Sequence, residues 1–161
     1  MGQSSNKAVK CGRVVNAYIY TASTLLFASG LAKLISITAQ TRILQELDPL
    51  IGIKYKYLFA IAGSIEIILA IVGFSAKPIY LRVLAIAWVS TGISTYRFGL
   101  IWIGYHGACG CLGSLTQALH ISPQTADTAM KAILVYLLVG AYAATFWLWR
   151  QRNGLSTAAL K

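Results

Sequence analysis

Two of the chain's three cysteines, Cys109 and Cys111, lie one residue apart in the segment "HGACGCLGS" at residues 106–114. The thiolate is the nucleophilic form of cysteine, and a nearby cation or helix N-terminus favours it. Gly110 allows the backbone angles that a disulfide between such close residues demands. We expect this bond to be strained, readily reduced and of little benefit to stability, because it closes a very short loop. The spacing therefore favours thiol–disulfide exchange.

Two other interpretations of the cysteine pair stay open. His106, Cys109 and Cys111 could offer three soft ligands to copper(I) or zinc. The usual zinc spacing is Cys-x2-4-Cys with a second ligand pair elsewhere, and the chain has no second pair. The cysteines could instead form a turn, or a bond without catalytic turnover. Arg97 and His106, which precede the pair in the chain, are candidate supporting residues for the redox interpretation.

A second candidate site centres on Glu66, at the midpoint of the apolar block 57–76. A carboxylate in the middle of a membrane is costly unless it is paired, hydrated or protonated. Its candidate partners are Lys33, near the outer end of the first apolar block, and Arg97. Such a group could serve as a proton relay, as the anchor of a ligand, or as an internal polar tie that fixes helix packing.

These residues lie within or between long apolar blocks. Charged residues make up 11% of the chain, against roughly 25% in soluble domains. Blocks 14–32, 57–76 and 132–149 approach the roughly 20 apolar residues that a membrane-spanning helix needs. In a fourth block, Arg82 and Arg97 bracket an uncharged stretch and can extend their side chains to the interface. A soluble bundle is disfavoured because these blocks lack a polar stripe.

We therefore predict an all-α membrane protein, a bundle of four transmembrane helices at about 14–36, 57–76, 78–100 and 123–150. This domain, 13–150, lies between a polar N-terminal tail, 1–12, and a C-terminal tail, 151–161. Short interfacial helices are expected in the outer loops, one around 43–51 that ends near Pro49 and one after Ser114. A loop packed over the bundle is the alternative for 43–51. A cleaved signal peptide is the alternative for the first span, although its apolar run exceeds the usual signal core of about 7–15 residues.

The net charge of +10 does not indicate nucleic-acid binding, because the basic residues lie at the ends of the apolar blocks and form no patch. A bilayer with acidic phospholipids is the more natural partner. Eight Lys and Arg residues lie on the side of the termini and six on the other side. The positive-inside rule then predicts that both termini are cytoplasmic and that the cysteine pair is on the outer face.

Three segments, taken in order, resemble the DoxX/MauE family of redox-associated membrane proteins, and MauE more than DoxX. They are "ASGLAKLIS" in the first span, "AGSIEIILAIVGF" in the second and "CGCLG" before the fourth. The resemblance covers about residues 14–150. Leu112 departs from the family pattern, in which an aromatic residue usually follows the second cysteine.

The resemblance implies a four-helix bundle in a bacterial plasma (inner) membrane, associated with disulfide formation or the maturation of exported proteins. MauE serves the disulfide-rich subunit of methylamine dehydrogenase in this way. Matching residue by residue, Cys109 and Cys111 correspond to the thiol pair. Lys33 and Glu66 correspond to intramembrane polar positions of unknown role.

The leading hypothesis for function is a thiol–disulfide oxidoreductase or maturation factor, whose partner is a thioredoxin-like protein or an exported cysteine-containing substrate. By analogy with other four-helix disulfide enzymes, a quinone near Trp102 and Tyr105 would exchange electrons with the pair. Those enzymes usually have a second cysteine pair that relays electrons, and this chain has only three cysteines. The alternatives are a non-catalytic subunit or assembly factor of a larger membrane complex, and copper or zinc handling.

Overall fold

A computed structural model describes residues 2–38, 42–75, 78–104 and 123–158, and four long helices dominate it. The helices are α1 (Gly2–Thr38), α2 (Tyr55–Phe74), α3 (Ile79–Trp102) and α4 (Pro123–Ala158). Each contains a stretch long and apolar enough to cross a membrane: Gly12–Thr38, Tyr55–Phe74, Ile79–Trp102 and Asp127–Arg152. The predicted all-α, four-helix membrane bundle is confirmed.

The helix ends follow from local chemistry. Pro78 precedes the first turn of α3, and Pro123 is the first residue of α4, where a missing N–H costs no helical hydrogen bond. At the other end of α3, the N–H of Ile103 donates to the carbonyl of Gly99. Gly104 then adopts a φ of 73°, the left-handed conformation that commonly ends a helix.

The core lies where the four helices face one another. α1 packs most closely against α2, and α3 against α4. Its buried apolar residues come from all four helices: Val15, Ile19, Ala22 and Leu26 of α1, Ala70 of α2, Val83, Ile86, Ala87 and Val89 of α3, and Leu137, Ala141 and Ala144 of α4. Large apolar side chains such as Ile68, Trp88 and Val139 point outward. This arrangement suits a bilayer, because an outward apolar surface there meets lipid and not water.

The first connection, residues 42–54, differs from the surface helix predicted around 43–51. A 3-10 helix covers only Arg42–Gln45, and the chain then turns back so that Leu47 and Lys54 form a β-bridge. The turn forms because the Asp48 carboxylate accepts hydrogen bonds from the backbone N–H groups of Leu50 and Ile51. In a helix these N–H groups would donate to backbone carbonyls instead. The connection is a loop packed over the bundle, with Leu44 buried against Tyr55 and Phe59.

Candidate functional site

The structure brings Lys33 of α1 and Glu66 of α2 together inside the bundle. The Lys33 Nζ atom lies 2.7 Å from both Glu66 Oε1 and Glu66 Oε2. It also donates to Ser29 Oγ, one turn earlier on α1, at 2.7 Å. Lys33 is 7% exposed and Glu66 2% exposed. Of the two partners predicted for Glu66, Lys33 is therefore the one it meets.

Two glycines let α1 and α2 approach closely enough for this pair to form. A methyl group added at Gly30 would lie 2.8 Å from the backbone oxygen of Gly63 and 2.9 Å from the Ile67 side chain. A methyl group at Gly63 would likewise lie 3.0 Å from the backbone oxygen of Gly30. Small residues at such a crossing let two helix backbones touch. The crossing lies next to Lys33 and Glu66 in both helices, so it sets the distance that the ion pair spans.

Gly30→Ala is expected to destabilise the bundle on the order of 1 kcal/mol or more, because the new methyl group meets backbone atoms that cannot rotate away. The control is Gly92→Ala in α3, where an added methyl group finds nothing within 4 Å. Unfolding in mixed micelles, followed by circular dichroism, measures both variants. Equal stability of the Gly30 and Gly92 variants would show that the crossing is not tightly packed.

The hydrogen-bond pattern narrows what the ion pair can do chemically. A lysine ammonium has three donors, and here the two Glu66 oxygens and Ser29 Oγ take them. No ammonium donor is left over for a ligand, and the two opposite charges offset each other inside the bundle. This arrangement favours a structural role, in which the ion pair holds α1 to α2, over a role in binding a ligand.

Arg97, the other predicted partner of Glu66, takes part in a different interaction. Its Nη1 atom lies 3.2 Å from Oδ1 of Asp127 at the start of α4. Lys131, one turn further along α4, approaches Oδ2 of Asp127 at 2.6 Å. Arg97 thus links the end of α3 to the beginning of α4, and the expectation that it could pair with Glu66 is wrong. Because Asp127 partly offsets its charge, Arg97 is also a weaker electrostatic support for a thiolate than a free cation would be.

Asp48 is a buried polar residue that the sequence interpretation did not identify as a site. It is 1% exposed and accepts hydrogen bonds from the backbone N–H groups of Leu50 and Ile51, both at 2.9 Å. The hydroxyl of Tyr96 in α3 donates to the other carboxylate oxygen. The available signal was an aspartate followed by Pro49, a combination that starts turns. Asp48 therefore fastens the first connection to the C-terminal part of α3.

The remaining predicted site residues, Cys109, Cys111 and His106, lie outside the described residues, as do Tyr105 and the short helix expected after Ser114. Trp102, proposed to contact a quinone, is described: it is 80% exposed and packs near Phe98. In the part of the chain that is described, no group of three His, Cys, Asp or Glu side chains is placed to hold a metal ion.

The candidate site thus has two described parts. The buried pair of Lys33 and Glu66 lies inside the bundle, and the contacts of Asp48 and Arg97 lie at the end where α3 finishes and α4 begins. Comparisons of the chain with protein-family models, curated sequences and solved structures found no match, so the resemblance to the DoxX/MauE family stays a prediction.

Proposed function

We propose that this chain is a redox-associated protein of a bacterial plasma membrane, and that Cys109 and Cys111 exchange disulfides with exported proteins or a thioredoxin-like partner. Both termini would be cytoplasmic. The observation that carries the proposal is the spacing of Cys109 and Cys111, one residue apart in the connection between α3 and α4. The contact between Arg97 and Asp127 ties together the two helix ends from which that connection leaves and to which it returns.

The topology supports an outer-face position for that connection. Four spans alternate in direction, so the connection between α3 and α4 leaves the bundle at the same end as the first connection. Two contacts join the C-terminal part of α3 to the first connection, as this topology requires. Tyr96 of α3 donates to Asp48, and Gly99 packs beside Leu50. The charge bias of the sequence then favours the outer face for this end.

The exchange needs no group beyond the two thiols and the partner's disulfide. One thiolate of the pair attacks a sulfur of the partner disulfide, forming a mixed disulfide and releasing the partner's other sulfur as a thiolate. The second cysteine of the pair then attacks the mixed disulfide. The products are a Cys109–Cys111 disulfide and a reduced partner, and the reverse sequence oxidises the partner. Two electrons pass between the two cysteine pairs in either direction.

Cys109→Ser and Cys111→Ser are expected to differ in a trapping experiment, because loss of the resolving thiol leaves the mixed disulfide intact. Cells are quenched in acid, free thiols are blocked with a bulky maleimide, and the chain is separated without reductant. One of the two variants should shift to a larger, reductant-sensitive species. Cys11→Ser, which removes the cysteine that precedes the first span, is the matched control and should behave like the wild type.

Other results of this experiment would contradict the proposal. A pair that stays fully oxidised in cells, with normal behaviour of both serine variants, would indicate a static bond in a non-catalytic subunit. One equivalent of copper or zinc retained on purification, and lost with either serine variant, would indicate metal handling. Labelling of Cys109 by an impermeant reagent only from the cytoplasmic side would overturn the proposed orientation.

A further inference from the structure

A cavity of about 340 Å³ opens between the start of α3 and the end of α4, far from the candidate site. Its wall includes Tyr80 of α3 together with Tyr142, Phe146 and Trp149 of α4, and Arg152 lies at its edge. Cavities of this size are in the range that holds small ligands. This one combines an aromatic wall with a single cation.

The shape of the cavity follows the end of α4. At 1.5 Å per residue, α4 rises about 15 Å between Tyr142 and Arg152. The Tyr142 hydroxyl already bonds to Thr91 Oγ1 at 3.0 Å, so that end of the wall presents mainly its ring. The rings of Phe146 and Trp149 pack near each other along the same side. These rings face outward from the bundle, so a ligand lying here would have its apolar part against them and its polar part at Arg152.

The charge at this end is not compensated by carboxylates. The chain has four acidic residues, Glu46, Asp48, Glu66 and Asp127. Two lie in the first connection, one in the middle of α2 and one at the start of α4, all away from the terminal end. Among the described residues, Arg152 has no hydrogen bond or salt bridge. Its guanidinium is therefore available to an anion, and it matches the geometry of phosphate oxygens especially well.

The aromatic wall and the single cation match the acyl chain and the phosphate of a membrane phospholipid, which is always present around a membrane protein. The span Asp127–Arg152 ends at this edge, and aromatic and basic residues at a span end lie at the level of the lipid headgroups. We propose that the cavity binds an anionic glycerophospholipid, with its phosphate on Arg152 and an acyl chain along Tyr142, Phe146 and Trp149. The site does not depend on the cysteine pair or on the exchange proposed above.

Native mass spectrometry of the full-length protein in a neutral detergent tests this site. Phosphatidylglycerol and phosphatidylcholine with identical acyl chains are added in turn, and bound lipid is counted. The wild type should bind phosphatidylglycerol more tightly than phosphatidylcholine. Arg152→Gln should weaken phosphatidylglycerol binding about fivefold, the effect of about one basic residue near a lipid surface. Arg150→Gln, which removes the same charge outside the cavity wall, should leave binding unchanged.

Equal weakening by both arginine variants would overturn the proposal, because general surface charge would then explain the binding. Unchanged binding in Arg152→Gln, or equal binding of the two lipids by the wild type, would also overturn it. Glycerol 3-phosphate supplies the phosphate without acyl chains and should not displace the lipid at the same concentration. Displacement by it would show that the aromatic wall has no part in the site.

Discussion

Lys33→Met is expected to destabilise the bundle by about 3–5 kcal/mol, the usual cost of removing one partner from a buried ion pair. Both oxygens of Glu66 accept hydrogen bonds from Lys33. Once the ammonium is gone, the Glu66 carboxylate stays in the bundle interior without a cation or a donor. Glu66→Gln is expected to be less harmful, because an amide oxygen still accepts from Lys33 even though the charge is no longer balanced.

The double variant Lys33→Met, Glu66→Leu is expected to recover much of the lost stability, because two apolar side chains of similar volume leave no buried charge. The control is Lys131→Met. Lys131 also contacts a carboxylate, but its side chain is 63% exposed, and exposed pairs contribute only about 0–1 kcal/mol. Unfolding free energies from titration with a denaturing detergent give the comparison. A stability of Lys33→Met equal to that of Lys131→Met would contradict the assignment of a buried tie.

The same double variant separates a structural role of the pair from a functional one. If the pair only joins α1 to α2, the stable double variant should still form the mixed disulfide when Cys109 or Cys111 is replaced by serine. Loss of trapping in a folded double variant would show that Lys33 and Glu66 act in the exchange itself. The proton relay or ligand anchor would then regain support over the internal tie.

The four helices could be predicted because the length of an apolar block can be counted along the sequence, without knowledge of the tertiary fold. Helix boundaries were similarly accessible where proline marks them, as at Pro123. From the sequence, the partner of Glu66 could be narrowed only to Lys33 or Arg97. The choice depends on how deep each helix lies and how it is rotated, which only tertiary contacts such as that of Gly30 with Gly63 determine.

The first connection shows why helical periodicity alone was insufficient. Leu44, Leu47 and Ile51 recur at helical spacing, yet only Leu44 of these is buried. The turn depends on where the Asp48 carboxylate points, which no periodicity reveals. Asp48 also bonds across the bundle to Tyr96, a residue far away in the chain. Pairings of this kind depend on the tertiary fold, and so the sequence interpretation missed the site.

Asp48→Ala is expected to loosen the first connection and to destabilise the protein by about 2–3 kcal/mol, the effect expected when a hydrogen-bonding charged group is lost. The N–H groups of Leu50 and Ile51 would lose their acceptor, and the Tyr96 hydroxyl would lose its partner. Asp48→Asn keeps an acceptor oxygen and should cost less. Glu46→Ala, at an exposed position in the same connection, is the control and should have little effect.

Hydrogen–deuterium exchange distinguishes a local effect of Asp48→Ala from a general loss of stability. Exchange should rise at 46–54 and around Tyr96, while the crossing of α1 and α2 stays protected. Tyr96→Phe removes only the contact with α3, so it should raise exchange at 46–54 less than Asp48→Ala does. Unchanged protection at 46–54 in Asp48→Ala would mean that Leu44, buried against Tyr55 and Phe59, holds the connection without the carboxylate. Because α3 leads directly into the cysteine-bearing connection, a loosened C-terminal end of α3 should also slow the proposed mixed-disulfide formation while leaving both thiols present.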